Sequence, residues 1–90
     1  MRKLSPANLR KRCIDLAGED SLVFADGYDA ALIGVGCHDG VSIAVYDQKG
    51  VIDILRQRDG MTLEDAVEFF EYNIQGARFG DNMPIFVGRA

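Results

Sequence analysis

The sequence predicts a single small α+β domain with elements in the order α-β-β-β-α-α-β, in which helices pack on a mainly antiparallel sheet. Its 90 residues are 48% hydrophobic and 27% charged, which is typical of one globular domain. Apolar residues at helical spacing alternate along the chain with short apolar runs typical of strands. Asp-Gly pairs separate several of these segments. We therefore expect residues 1–90 to form one domain whose first four residues are disordered.

The first helix is predicted over residues 6–17. Ser5 can cap it, and Pro6 fills the first helical position without losing a needed donor. Gly18 predicts its end. Apolar residues recur between these signals at helical spacing, at Leu9, Cys13, Leu16 and Ala17.

Three strands are predicted next. Ser21–Phe24 is short and apolar, and Asp26-Gly27 after it favours a hairpin turn. Ala30–Cys37 and Val41–Tyr46 then predict a second hairpin around a three-residue loop at 38–40. That loop sets a register with a bulky face and a nearly bare face. The bulky pairs are Cys37 with Val41, Val35 with Ile43 and Ile33 with Val45, and the bare pairs are Gly36 with Ser42 and Gly34 with Ala44.

Two helices and a strand complete the order. Asp47 predicts the cap of a helix that ends at Asp59-Gly60, with its apolar stripe at Val51, Ile52, Ile54 and Leu55. Thr62 begins a capping-box-like T-L-E-D start. The helix it opens runs to Gly76, with apolar positions at Leu63, Val67, Phe70 and Ile74. The last strand is predicted over Pro84–Val87.

The charge distribution excludes several function classes. Five of the ten basic residues precede Asp15, the first of fourteen acidic residues, and this basic cluster is explained by a solvated helix face, by intramolecular pairing or by partner binding. The last helix carries no Lys or Arg, which argues against a helix-turn-helix that reads DNA. No apolar run reaches the length of a membrane span, and no secretion signal is indicated.

No catalytic, metal or cofactor site is predicted. Cys13 and Cys37 lack zinc-ligand spacing and are interpreted as buried free thiols. Cys37-His38-Asp39 is adjacent in sequence, but neighbouring strand side chains point to opposite faces. Gly34-x-Gly36 lacks the remainder of a dinucleotide motif. Five aspartates are interpreted as turn or cap residues rather than metal ligands: Asp26, Asp29, Asp39, Asp47 and Asp81.

Two surfaces are candidates for binding. The acidic face of the last helix would dock a basic protein surface through Glu64, Asp65, Glu68 and Glu71. The segment between that helix and the last strand would bind a nucleotide-like ligand, with Phe79 stacking on it and Arg78 meeting an anion or, alternatively, pairing with a helix carboxylate. The other candidate ligand residues are Asp81 and Asn82 in this segment and Gly34 and Gly36 on the bare hairpin face.

Three stretches of residues 26–87 resemble a family of small proteins encoded by tailed bacteriophages and prophages. They are D-G-Y-D-A-A-L-I-G, then V-Y-D with I-D-I-L-R-Q-R-D-G-M-T-L-E-D-A-V-E-F-F-E-Y-N, and finally G-A-R-F-G-D-N-M-P-I-F-V. Asp81 stands where the family has Glu, and Met83 stands where it has Thr before Pro84. The resemblance supplies no catalytic residue. It implies expression in a bacterial cytoplasm.

These observations favour a non-enzymatic protein that binds and modulates a host bacterial protein, such as a defence or nucleic-acid-handling complex. The alternative is a small-ligand binding protein, nucleotide-like in its choice of ligand. Neither function needs a cofactor, a membrane or direct nucleic-acid readout. Exposed strand edges also leave open a homodimer.

Overall fold

A computed structural model describes residues 6–18, 21–75 and 82–89 of the chain, and it confirms the α+β class. The predicted disorder of residues 1–4 lies outside the described residues. The helices are α1 (Pro6–Ala17), α2 (Gln48–Arg58) and α3 (Leu63–Phe69), and α3 continues as a π-helical segment (Phe70–Gln75). A 3-10 turn (Asp29–Ala31) precedes the strands β1 (Leu32–His38), β2 (Val41–Asp47) and β3 (Ile85–Val87).

The sheet is mixed, and the longer of its two strand pairings is antiparallel. Its strand order is β1-β2-β3, with β1 antiparallel and β3 parallel to the central β2. The parallel pair arises because α2, α3 and the π-helical segment lie between β2 and β3 in the chain and return it to the same end of the sheet. As the central strand, β2 is the most buried of the three, with Ile43, Ala44 and Tyr46 among the buried residues.

The predicted hairpin register is wrong by one residue. Asp39 and Gly40 have φ values of 52° and 79°, which is the backbone of a two-residue type I′ turn. The turn is therefore one residue shorter than expected, and His38 pairs with Val41. Gly36 then lies opposite Ile43, and Gly34 lies opposite Val45, so the glycines do not form a bare face. Turn geometry, rather than matching of apolar residues, sets this register.

The strand predicted at Ser21–Phe24 does not form. These residues are irregular, and two arginines hold the loop that follows them. Arg10 of α1 contacts Asp26 at 2.9 Å and Asp29 at 2.7 Å, and its guanidinium stacks on the ring of Phe24. The apolar run therefore packs against the core from a loop, instead of from a strand.

Arg58 of α2 holds the same loop from its other side. Its Nη1 donates to the Gly27 carbonyl at 2.7 Å, and its guanidinium stacks on the Tyr28 ring. Gly27 has a φ of 93°, and a Cβ there would lie 3.1 Å from that Nη1. Asp59 completes the contact by accepting two hydrogen bonds from Arg58, which lowers the pKa of the Asp59 carboxyl. The predicted Asp26-Gly27 turn is thus present, but it does not join two strands.

The core lies on the sheet face that carries Leu32, Ala44 and Tyr46. The helices add Cys13, Val51, Ile52, Leu55, Ala66 and Phe70 to the same buried cluster. Phe86 of β3 packs on Phe70 edge to face at 5.2 Å and on Tyr46 at 5.5 Å. The buried Tyr46 hydroxyl accepts a hydrogen bond from the Ala25 N–H at 2.8 Å, and burial raises the pKa of this hydroxyl. One aromatic cluster thus joins the sheet, the last helix and the loop.

The sequence predicts that both cysteines are buried, and the structure confirms this for only one of them. Cys13 is buried as expected, and burial raises the pKa of its thiol. Cys37 is exposed, and it lies near the turn end of the hairpin opposite Ser42 instead of Val41. Within the described ranges, no helix is both long enough and apolar enough to cross a membrane.

Candidate functional site

The four predicted acidic residues share one exposed surface along α3 and the π-helical segment. Thr62 caps α3, since its Oγ1 accepts a hydrogen bond from the Asp65 N–H at 3.1 Å, as the capping motif predicts. Carboxylates in the first turn also interact favourably with the N-terminal end of the helix dipole. The exposed acids are Glu64, Asp65, Glu68 and Glu71, and among the described residues none of them forms an ion pair.

Apolar side chains lie beside these carboxylates. Tyr72 is 75% exposed and Leu63 is 54% exposed, the highest and third-highest values among the exposed large apolar side chains described. An open groove of about 490 Å³ lies beside Tyr72, lined by Met61, Asp65, Glu68, Phe69, Tyr72 and Asn73. We call the four acids together with Leu63, Tyr72 and this groove the α3 surface. Sequence reasoning missed Tyr72, whose position four residues after Glu68 places it on the acidic side of the helix.

This combination of groups is suited to protein recognition. Unpaired carboxylates attract a basic partner and orient its approach, whereas an exposed tyrosine supplies contact area at a small cost in side-chain entropy. Among the described residues, no cationic side chain lies within ion-pair distance of these four carboxylates, so nothing there neutralises their charge.

The predicted ligand residues are only partly described. Arg78, Phe79 and Asp81 lie outside the described residues, and Asn82 is half-buried in a turn before β3. Gly34 and Gly36 lie in β1; a Cβ on Gly34 would meet nothing within 4 Å, whereas one on Gly36 would lie 3.3 Å from Val45 Cγ2. The glycines line no cavity together with Asn82 among the pockets described.

A separate pocket lies between the loop before β1 and the chain on either side of residues 76–81. It has a volume of about 210 Å³. Its described lining residues are Phe24, Ala25, Asp26, Tyr28, Asn73, Ile74, Met83, Pro84 and Phe86. The rings of Phe24, Tyr28 and Phe86 and the amide of Asn73 therefore line a space about the size of an aromatic ring, which we call the aromatic pocket. Phe24 and Tyr28 were not predicted as ligand residues, because their apparent place in or beside a hairpin hid their proximity to the last strand.

The remaining candidate chemistry does not converge. His38 Nε2 lies 3.4 Å from Asp39 Oδ2, but both side chains are more than 70% exposed. Asp26 and Asp29 share Arg10, and Asp47 lies at the start of α2 without the predicted side-chain capping bond. A search of the described residues finds no group of three or more His, Cys, Asp or Glu that could hold a metal ion.

Comparison of the chain with known protein families, with curated proteins and with solved structures finds no match. The α3 surface and the aromatic pocket are therefore the two candidate binding sites of this protein.

Proposed function

We propose that this protein binds and modulates a host bacterial protein, without catalysis, by docking its α3 surface on a basic region of that partner. The observation that carries the proposal is the set of four exposed carboxylates, none of which pairs with a cation of the described residues, beside the exposed Tyr72. A formal net charge of −4 adds long-range attraction to a basic partner. Basic protein surfaces include those that hold nucleic acid, which makes nucleic-acid-handling or defence complexes suitable targets in a bacterial cytoplasm.

Neutralising three of the four acids of the α3 surface is expected to weaken partner binding about tenfold. Glu64, Glu68 and Glu71 follow one another at i, i+4 and i+7, so Gln at all three removes charge from one side of the helix and keeps its propensity. At about 0.5 kcal/mol for each exposed charge, the loss is about 1.5 kcal/mol, or tenfold. The affinity of the purified partner, first captured at low salt from bacterial lysate and identified by mass spectrometry, is measured by calorimetry.

A matched control removes three charges elsewhere. The variant Asp15→Asn/Asp39→Asn/Asp53→Asn has the same net charge as the triple Gln variant but leaves the α3 surface intact, and we expect it to bind as the unchanged protein does. Tyr72→Ala tests the apolar contact with charge unchanged and is expected to accelerate dissociation. Equal weakening by both triple variants, or no captured partner at low salt, would contradict the proposal.

The aromatic pocket favours a second candidate function, binding of a nucleotide-like ligand through its base. Asp26 is the one charged side chain among the described lining residues, and the nearby guanidiniums of Arg10 and Arg58 are already paired with carboxylates, so the neutral ring of a nucleoside suits this pocket better than a phosphate does. Asn73 offers an amide donor and acceptor for a base edge. Phe24, Tyr28 and Phe86 offer ring faces for stacking.

Under this second candidate, purine nucleosides are expected to raise the melting temperature saturably. Ligand at a hundredfold excess over its dissociation constant adds about 2.7 kcal/mol to the free energy of unfolding. Asn73→Ala should remove most of the shift, whereas Gln75→Ala, an exposed change two residues away, should not. A flat thermal response to nucleosides at millimolar concentrations would exclude this candidate and leave the docking proposal untouched.

A further inference from the structure

β1 is an edge strand without the usual protection against pairing with another chain. It lies at one side of the sheet and pairs only with β2. Its sequence, L-I-G-V-G-C-H, contains no Lys, no acidic residue and no Pro, the residues that commonly block an edge. A bulge between Leu32 and Gly34 interrupts the pairing with β2 only at the start of β1. Residues 34–38 therefore form a regular edge with which no other strand of the described residues pairs.

The hairpin turn determines which backbone groups of that edge are free. In a two-residue hairpin the residues that flank the turn, here His38 and Val41, share hydrogen bonds, and such pairs alternate along the strands. Gly36 and Gly34 thus bond to β2, whereas the N–H and C=O groups of Val35 and Cys37 point away from it. No backbone hydrogen bond from the described turns and loops reaches Val35 or Cys37.

We propose that a second copy of this chain pairs antiparallel with β1, with the twofold axis at Gly36. This register places Val35 opposite Cys37 of the second copy, and Cys37 opposite its Val35. The outward N–H and C=O groups of both copies then meet in four hydrogen bonds. The two Gly36 residues cross at the axis, where the absence of side chains permits close approach. The bulge before Gly34 limits pairing to residues 34–38 and so fixes the register.

The side chains around the edge agree with this pairing. Gly34 lies opposite His38 of the second copy, so no like charges face each other along the paired segment. Three of the five exposed large apolar side chains described lie on β1 or on α1, which packs on β1: Ile14, Leu16 and Ile33. The other two, Leu63 and Tyr72, belong to the α3 surface. The dimer edge and the proposed docking surface are thus made by different residues and can be tested separately.

Engineered disulfides test the register directly. The variant Gly34→Cys/His38→Cys/Cys37→Ser puts cysteines at positions 34 and 38, which face each other between the two copies as a non-hydrogen-bonded pair. The Cα atoms of such a pair lie about 4.5 Å apart, within the range of a disulfide. Residues 34 and 38 lie about 13 Å apart along one strand, too far for a bond within one chain. A Cβ at position 34 meets open space, and His38 is exposed, so the variant is expected to fold.

Under mild oxidation this variant should convert to a covalent dimer of twice 9.9 kDa on a non-reducing gel. Gln57→Cys in the Cys37→Ser background, which puts an exposed cysteine on α2 away from both β1 and α1, is the control and should remain largely monomeric on the gel. Equal cross-linking of the two variants, or none in the first, would overturn the proposed register.

A proline variant tests the edge without new cysteines. Cys37→Pro removes an outward N–H and no bond to β2, so the hairpin keeps its ladder while the edge is blocked. Sedimentation of the unchanged protein and of Cys37→Ser should show a concentration-dependent dimer, whereas Cys37→Pro should show only the 9.9 kDa species. Circular dichroism verifies that it folds, and if it does not, the cross-linking result decides. A monomeric unchanged protein at millimolar concentration would refute the dimer.

Discussion

Replacing Phe70 by Ala is expected to lower the free energy of unfolding by roughly 3–5 kcal/mol. Phe70 is fully buried at the junction of α3 and the π-helical segment, and its ring meets Phe86 edge to face at 5.2 Å. The substitution removes this aromatic pair and leaves a cavity that β3, held to β2 by only three residue pairs, helps to enclose. We therefore expect loss of β3 packing as well as lost burial.

Chemical denaturation followed by circular dichroism measures this effect. Tyr72→Ala is the matched control, because it removes a ring two residues away that is 75% exposed, and we expect a change of at most about 0.5 kcal/mol. Phe70→Leu should retain most of the stability, since it leaves a smaller cavity. A loss below about 1 kcal/mol for Phe70→Ala would mean that the described packing is not that of the folded chain.

The helices could be predicted from the sequence because their signals are local. Pro6 begins α1, Gly18 follows its last residue, and Thr62 makes the expected capping bond. Amphipathic spacing then selects the buried side, as with Leu55 and Phe70 in the core. The π-helical character of residues 70–75 was not predictable, because periodicity over so short a segment does not distinguish it from an α-helix.

The strands were harder to predict because pairing is not local. The sequence indicates a turn at Asp39-Gly40, but matching of apolar residues favours a three-residue loop, whereas the chain forms a two-residue one. The φ values of the turn decide between them, and they are not visible in an apolar pattern. Ser21–Phe24 similarly has the composition of a strand, yet no neighbouring strand is available to it, and it packs on the core as a loop.

The candidate sites, like the helices and strands, could be predicted where the signal is local and not where it depends on distant parts of the chain. The acidic face of α3 was predicted with its four residues, since helical spacing alone places Glu64, Glu68 and Glu71 together. The aromatic pocket required tertiary structure, because it joins Tyr28 to Asn73 and Pro84, which lie far apart in the chain. The basic N-terminal cluster was explained by solvation, intramolecular pairing or partner binding, and the contacts of Arg10 are of the second kind.

Arg10→Met should release the loop before β1 while leaving most of the sheet folded. Arg10 is the residue that joins α1 to this loop, through Asp26 at 2.9 Å, Asp29 at 2.7 Å and the ring of Phe24. Asp29 is 24% exposed, so removing the guanidinium leaves a partly buried carboxylate without its cation. The cost is roughly 1–3 kcal/mol, and the hydrogen bonds to Asp26 and Asp29 raise the pKa of the Arg10 guanidinium.

Limited proteolysis by chymotrypsin locates this effect. Phe24 and Tyr28 are cleavage sites inside the loop, and their protection depends on the two arginine contacts, so cleavage there should accelerate in Arg10→Met. Lys11→Met is the matched control, because Lys11 is exposed on the same helix and forms no ion pair among the described residues. If the two variants are cleaved at the same rate, the loop is held by Arg58 and core packing alone. Faster cleavage in Arg10→Met, together with weaker nucleoside binding, would instead link the α1 contact to the aromatic pocket, since Phe24 and Asp26 belong to both.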